Sequence, residues 1–139
     1  MTLNVVGISA ALATFIGVWL GHVSVRKIER LAVRLWIPSL MAVTLGSGFL
    51  IASLLTSNLS LATASGILAV TLFWDALEIS IRQPRRIRHG HAPANPANPR
   101  HARILAESPN VTDMDWLDRD PRGRPYTAEE LSAIKDSAR

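Results

Sequence analysis

The apolar positions of this chain form three long runs, and a polar tail follows them. The runs cover residues 5–23, 35–55 and 60–81, and no charged residue occurs between Arg34 and Asp75. One membrane crossing needs about 20 apolar residues, so the uncharged stretch is about twice the required length. Thr56-Ser57-Asn58 is the one strongly polar cluster near its middle. We therefore predict an all-α integral membrane protein with three transmembrane helices.

The first run is predicted to be a retained helix and not a cleaved signal peptide. A signal peptide carries Lys or Arg in front of its apolar run and a small-residue cleavage site behind it. Here the basic residues Arg26, Lys27 and Arg30 come after the run. We expect the N-terminus of this helix to lie on the outer, non-cytoplasmic side of the membrane.

Basic residues predict the orientation of the whole chain. They occur between the first two helices and directly after the third helix, whereas the turn around Ser57 has none. The positive-inside rule then predicts an outside N-terminus and a cytoplasmic C-terminus in the bacterial inner (cytoplasmic) membrane. With a net charge of +4, the chain is expected to attract anionic lipids at this surface and not nucleic acid. The residues predicted to face the lipid are Arg26, Lys27, Arg30, Arg34, Arg82, Arg85, Arg86 and Arg88.

Small residues recur along the predicted helices at a spacing that favours close packing. Ser9, Ala13, Gly17 and Gly21 follow one another every four residues, and the third helix carries Ala62 and Gly66. In lipid, such ridges let helices approach closely, and packing is the main source of attraction. The pattern fits contact with the chain's own helices or with another subunit, and the sequence leaves both partners open.

The chain divides into a transmembrane domain, residues 1–81, and a polar tail, residues 82–139. Four prolines predict an extended basic strap over residues 82–100, followed by a linker over 101–126. Thr127 and Glu130 form a capping box that opens a short helix over 127–137. Alone, this helix is too short to be stable in water. The side chains expected to dock the tail onto a partner are Trp116, Leu117, Leu131 and Ile134.

Three ionisable residues lie near the predicted cytoplasmic interface: His22, Asp75 and Glu78. Ionisable groups beside a membrane helix are candidates for proton or ion handling. The alternative is structural, with both carboxylates neutralised by Arg82 or by the arginines of the first loop. The central parts of the predicted helices carry no polar side chain larger than Ser or Thr. Because a transport path needs polar groups there, the structural interpretation is favoured.

No enzyme chemistry is predicted. The chain has no cysteine, and His89, His91 and His101 match no known metal-ligand spacing. It contains no phosphate loop, nucleophile elbow or zinc motif. We expect no metal and no cofactor.

Three stretches of sequence are similar to the DUF4491 family of small bacterial membrane proteins. They are Ala11-Leu12-Ala13-Thr14-Phe15 with His22, then Trp74 with Glu78, and then Gln83-Pro84-Arg85-Arg86-Ile87 leading to Gly90, Pro93, Asn95 and Pro96. The resemblance covers roughly the first hundred residues and implies three membrane helices followed by a strap. His91 and Ala92 stand where the family tends to have two aromatic residues. It implies no activity, partner or cofactor.

Two functions from different classes fit these features. The first is a non-enzymatic accessory subunit of a larger membrane complex, respiratory or photosynthetic, that docks through small-residue helix faces and through its tail. The second is a small homo-oligomeric transporter or channel, with His22, Asp75 and Glu78 at its cytoplasmic mouth. The first predicts co-purification with different chains, whereas the second predicts an assembly of this chain alone.

Overall fold

The computed structural model describes residues 3–114 and 128–137, and within these ranges all regular structure is helical. Three helical spans are long and apolar enough to cross a membrane: Val5–Leu31, Trp36–Leu55 and Leu59–Arg88. The helices in chain order are α1 (Val5–Leu31), α2 (Trp36–Leu55), α3 (Leu59–Leu77), a π-helical turn (Glu78–Arg82), α4 (Gln83–Arg88), α5 (Pro99–Glu107) and α6 (Ala128–Ser137).

Helix α1 begins where predicted but ends later. The Asn4 side chain accepts a hydrogen bond of 3.0 Å from the Gly7 N–H and caps the first turn. The prediction ended this helix at residue 23, where the apolar run stops, but the helix continues to Leu31. The extension remains helical because it buries Val25 and Glu29 while its exposed positions carry good helix formers such as Arg26 and Lys27.

The predicted hairpin of α2 and α3 is present and turns at Thr56-Ser57-Asn58. Asn58 caps α3 by accepting a hydrogen bond of 3.1 Å from the Leu61 N–H. Its own N–H donates to Thr56 Oγ1 at 3.2 Å, which tightens the turn. Pro38 lies in the first turn of α2, where the missing N–H costs little.

Helix α3 is the centre of the bundle, since α1 and α2 each make their extensive contacts with it. Ser9, near the start of α1, contacts Ser60 near the start of α3. Gly21, further along α1, lies against Asp75 near the end of α3, so α1 and α3 run parallel. Ser53 donates to the Ala62 carbonyl at 2.7 Å, and Gly46 packs against Phe73, so α2 runs antiparallel to both.

The helical span that begins with α3 continues beyond residue 81, the predicted end, to Arg88. A π-helical turn follows α3, and α4 then continues to Arg88. Pro84 has no N–H and would break a regular α-helix at this point. The π-helical turn shifts the hydrogen bonding, with the Gln83 N–H donating to the Glu78 carbonyl, and Pro84 then lies at the start of α4. There its missing N–H is tolerated.

Residues 83–114 form a compact unit, which we call the cap unit. Helices α4 and α5 contradict the predicted extended strap at residues 83–88 and 99–100 and the predicted linker at residues 101–107, whereas residues 89–98 contain no helix. Gly90, with φ of +72°, ends α4 by a turn in which the His91 N–H donates to the Arg86 carbonyl. The chain then returns through α5, and Ile87, Ala94 and Ile104 form a small buried core. The amphipathic α5 begins at Pro99, because proline is tolerated in the first turn of a helix and here starts one.

The predicted terminal helix is present as α6, Ala128–Ser137. Thr127, the first residue of the predicted capping box, lies outside the described residues. Leu131 and Ile134 are both half-buried. Ile134 lines a cleft together with Leu105 and Val111 of the cap unit. One face of α6 is therefore turned towards the cap unit.

Candidate functional site

The candidate site lies at the end of the bundle where α1 ends, α2 begins and α3 passes into α4. We call this end the basic end, because Arg26, Lys27, Arg30 and the arginines of α4 surround it. Its central residue is Glu29, which is only 3% exposed. Oε1 of Glu29 lies 2.7 Å from Arg100 Nη2 and 3.1 Å from His101 Nε2. A buried carboxylate is costly unless it is paired in this way.

The cap unit also satisfies the last backbone carbonyls of α1, which a helix end leaves unpaired. Asn95 Nδ2 and Asn98 Nδ2 both donate to the Arg30 carbonyl at 3.1 Å. Asn98 Nδ2 also donates to the Ala32 carbonyl at 3.2 Å. Arg100 Nη2 donates to the carbonyl of Glu29 at 2.7 Å. The segment after α4 therefore acts as a C-terminal cap for α1, supplied from about seventy residues further along the chain.

The hydrogen bonds of His101 define its tautomer. The ring is fully buried, and Nδ1 accepts a hydrogen bond of 2.9 Å from the Asn95 N–H. Because Nδ1 accepts, the proton of the neutral ring lies on Nε2 and is donated to Glu29. Both ring nitrogens are thus occupied, and His101 is part of the attachment of the cap unit to α1.

The predicted site residue Glu78 lies in the π-helical turn and is paired locally. Its carboxylate is 3.5 Å from Arg82 Nε and accepts a hydrogen bond of 3.2 Å from Gln83 Nε2. The Arg82 guanidinium also lies 5.1 Å from the centre of the Trp74 ring. This is the structural pairing that the sequence favoured, and it includes Trp74 as a cation–π partner.

Asp75 has a different environment from Glu78. It lies beside Gly21 of α1, and within the described residues its carboxylate makes no ion pair or hydrogen bond. His22 and Glu78 are close enough to act on it electrostatically. The structure thus brings the three predicted residues to one end of the bundle, but it pairs only Glu78 with a cation.

Asp75 lines a groove between α1 and α2, with α3 as its floor. The groove has a volume of about 640 Å³ and is mostly apolar. Leu20 of α1 and Met41, Leu45 and Phe49 of α2 form much of its two walls. Among the lining residues, Asp75 is the one with a formal charge. The groove therefore presents a long apolar surface with a carboxylate near the basic end.

The small-residue ridges predicted for helix packing are in contact with the chain's own helices. Gly17 lies against Thr71 and Leu68 of α3, and Ala13 is buried. Ser9 donates to the Ser60 carbonyl at 3.2 Å. On the other side of α3, Gly66 faces Ser53 of α2. Both ridges thus serve the internal packing of the bundle.

The predicted basic residues divide between a pocket and exposed surfaces. Arg26, Lys27 and Arg30 line a pocket of about 340 Å³ between α1 and the cap unit. Arg82, Arg85, Arg86 and Arg88 are exposed on the π-helical turn and on α4.

Of the residues predicted to dock the tail, Trp116 and Leu117 lie outside the described residues. The sequence did not predict that Glu29, Asn98, Arg100 and His101 form one site. The pair Asn95 and Asn98 next to prolines was its one visible signal.

Three apolar membrane-length helices and a polar unit at one end define a multi-pass α-helical membrane protein. The profile of the family described as Domain of unknown function (DUF4491) matches residues 4–98, and the chain belongs to this family. The match includes all three membrane helices and ends at Asn98, so Arg100 and His101 lie beyond it. No curated protein and no solved structure is significantly similar to the chain.

Proposed function

We propose that the protein is a non-enzymatic accessory subunit of a larger complex in the bacterial cytoplasmic membrane. On this proposal, the groove between α1 and α2 receives a transmembrane helix of a different subunit. That helix carries a Lys or Arg at the level of Asp75. The cap unit then lies on the cytoplasmic side, where the positive-inside rule puts the basic residues.

The observation that carries the proposal is the carboxylate of Asp75 in an apolar groove. A charged side chain that faces lipid without a partner is costly, and such residues in membrane proteins pair with an opposite charge. No Lys or Arg in the described part of the chain forms an ion pair with Asp75, and only His22 acts on it as a basic group, whereas Glu78, one turn further, has Arg82. A cationic side chain on a partner helix matches both the apolar walls and the charge.

The internal use of the small-residue ridges supports the groove as the docking surface. Gly17 and Gly21 pack on α3 at the base of the groove, and Gly66 packs on α2, so a partner in the groove would meet the larger side chains of its walls and not a free small-residue ridge. Met41 and Leu45 on the groove wall are each more than half exposed. These side chains are the ones that a partner helix would cover.

Purification of the intact chain in a mild detergent, followed by native mass analysis, tests the proposal. We expect different membrane proteins in fixed ratio with the wild-type chain. Asp75→Asn should weaken their retention by about tenfold or more, because it leaves the partner's cation unpaired. Glu78→Gln is the matched control and should retain the partner, since Glu78 pairs within the chain.

Two outcomes would contradict the proposal. Equal retention by the wild type and by Asp75→Asn would exclude the carboxylate as a docking group. A preparation that contains only copies of this chain would favour the homo-oligomeric transporter. In that case the next measurement is ion or proton flux through liposomes, with Asp75→Asn expected to abolish it.

A further inference from the structure

The outer face of α1, opposite the α3 contact, carries a second feature that the groove does not involve. His22, Arg26 and Arg30 follow one another every four residues along this face. Together with Lys27 they line the basic pocket of about 340 Å³, and Ala92 and Pro93 of the cap unit close its far side. The pocket thus combines cationic side chains of a membrane helix with a wall built by the cap unit.

The positive charge of this pocket is available to a ligand. Neither Arg26 nor Lys27 makes an ion pair or hydrogen bond with another residue in the part of the chain that the structure describes. Glu29, the one acidic residue of the lining, directs Oε1 to Arg100 and His101. Because Arg100 neutralises this carboxylate, the charges of Arg26 and Lys27 are left without an acidic partner in the pocket lining. Such pockets at membrane helix ends bind the phosphates of lipid head groups.

A shallow, open apolar depression adjoins the pocket on the same face of α1, where Phe15 and Trp19 are exposed. It has a volume of about 690 Å³ and is lined by Phe15, Val18 and Trp19 among others. His22 belongs to both cavities. An inorganic phosphate would occupy the basic pocket alone, whereas a phospholipid would place its phosphate there and an acyl chain along Phe15 and Trp19. Because the two pockets share His22, they favour a ligand with both a phosphate and an apolar chain, which is a phospholipid.

We propose that this face of α1 is a specific binding site for one anionic phospholipid. The phosphate is bound by Arg26 and Lys27 against the wall formed by Ala92 and Pro93. The acyl chain lies on the apolar surface from Trp19 to Phe15. This proposal is independent of the groove, since the two sites lie on different faces of α1.

Native mass spectrometry of the full chain with added phosphatidylglycerol tests the site. We expect one bound lipid per chain that survives gas-phase activation. Replacing both Arg26→Gln and Lys27→Gln should weaken binding by about thirtyfold, since two basic contacts are lost. The matched control replaces Arg85→Gln and Arg86→Gln, which removes the same charge from α4 outside the pocket. This control should change the affinity by less than about threefold.

Equal weakening by the two double variants would overturn the proposal in favour of a diffuse attraction to the basic surface. Binding of glycerol 3-phosphate as tight as that of phosphatidylglycerol would identify a soluble phosphate ligand and overturn the lipid assignment. A third measurement needs no change in the pocket. Phosphatidylglycerol with brominated acyl chains should quench the fluorescence of Trp19, obtained as the difference between the wild type and Trp19→Phe. Equal quenching by brominated phosphatidylcholine would also contradict a specific site.

Discussion

Glu29 is a buried carboxylate at the end of a helix that begins in the membrane, and its charge has to be matched inside the protein. Arg100 and His101 supply the partners, and Asn98 holds the neighbouring carbonyls. Since these residues all belong to the cap unit, the attachment of this unit depends on few side chains. A single substitution at Glu29 should therefore affect the whole unit.

Glu29→Gln is expected to detach the cap unit from α1 without unfolding the membrane bundle. The substitution leaves the Arg100 charge without its carboxylate, and breaking a buried pair from one side costs about 3–5 kcal/mol. Because Arg100 is partly exposed, we expect the lower end of that range. Hydrogen exchange of residues 83–114 measures the effect, while exchange in α2 and α3 should stay slow.

Glu107→Gln is the matched control for this prediction, because Glu107 is exposed at the end of α5. It should leave the exchange of the cap unit unchanged. The double variant Glu29→Gln with Arg100→Gln should recover part of the loss, with a coupling of about 1–3 kcal/mol. Strictly additive effects would show that Glu29 and Arg100 do not act as a pair.

At the scale of the helices, α1 has two opposite faces with different roles. The ridge that contains Gly17 and Gly21 packs on α3. The face that contains Phe15 and Trp19 is exposed along its length. In a membrane the second face meets lipid, so within the membrane span the first face determines how α1 packs on α3, while the cap unit holds its end.

Gly17→Leu should therefore displace α1 from α3. A Cβ at this position would already lie 3.0 Å from Thr71 Oγ1, and a larger side chain overpacks the contact by about 1–3 kcal/mol. The chain has no cysteine, so Ser9→Cys with Ser60→Cys gives a clean cross-link between the two helices. We expect the cross-linking yield with a short bifunctional maleimide to fall several-fold.

Gly48→Leu is the control, since nothing lies within 4 Å of a Cβ built at Gly48. It makes the same substitution in a membrane helix without touching a neighbour, and the cross-link should form as in the parent. A yield that survives Gly17→Leu would mean that Gly17 does not define the contact between α1 and α3.

The sequence predicted the bounds of some helices more accurately than those of others. Bounds set by neighbouring residues were predicted well, and those set by residues far apart in the chain were not. The hairpin of α2 and α3 was predicted closely, because an uncharged run and Asn58 are local signals. The end of α1 at Leu31 was not predicted, because the apolar run shows only which part of the helix crosses the membrane and not where the helix ends. The pairing of Glu29 with Arg100 was missed because the two residues are 71 positions apart. An apolar pattern predicts which segments of the chain cross the membrane, but it does not predict which polar side chains contact one another outside the membrane.

For the molecule as a whole, the cap unit, the basic pocket and the carboxylate of Asp75 all lie at one end. Among the described residues, the other end has the start of α1 with Asn4 and the turn from Thr56 to Asn58, and neither carries a Lys or Arg. Such asymmetry in Lys and Arg orients a membrane protein with its basic end in the cytoplasm. All of the polar recognition proposed for this protein would then take place on the cytoplasmic side.

Labelling of single cysteines in intact cells tests this orientation. Ser57→Cys lies in the turn of the hairpin and Ala97→Cys in the cap unit, and both positions are exposed. A membrane-impermeant maleimide should label Ser57→Cys in intact cells and label Ala97→Cys only after the membrane is opened. The reverse pattern would contradict the orientation but leave the fold intact. Labelling of both positions in intact cells would mean that they lie on the same side of the membrane. This would contradict the proposed topology, because α3 crosses the membrane once between Ser57 and Ala97.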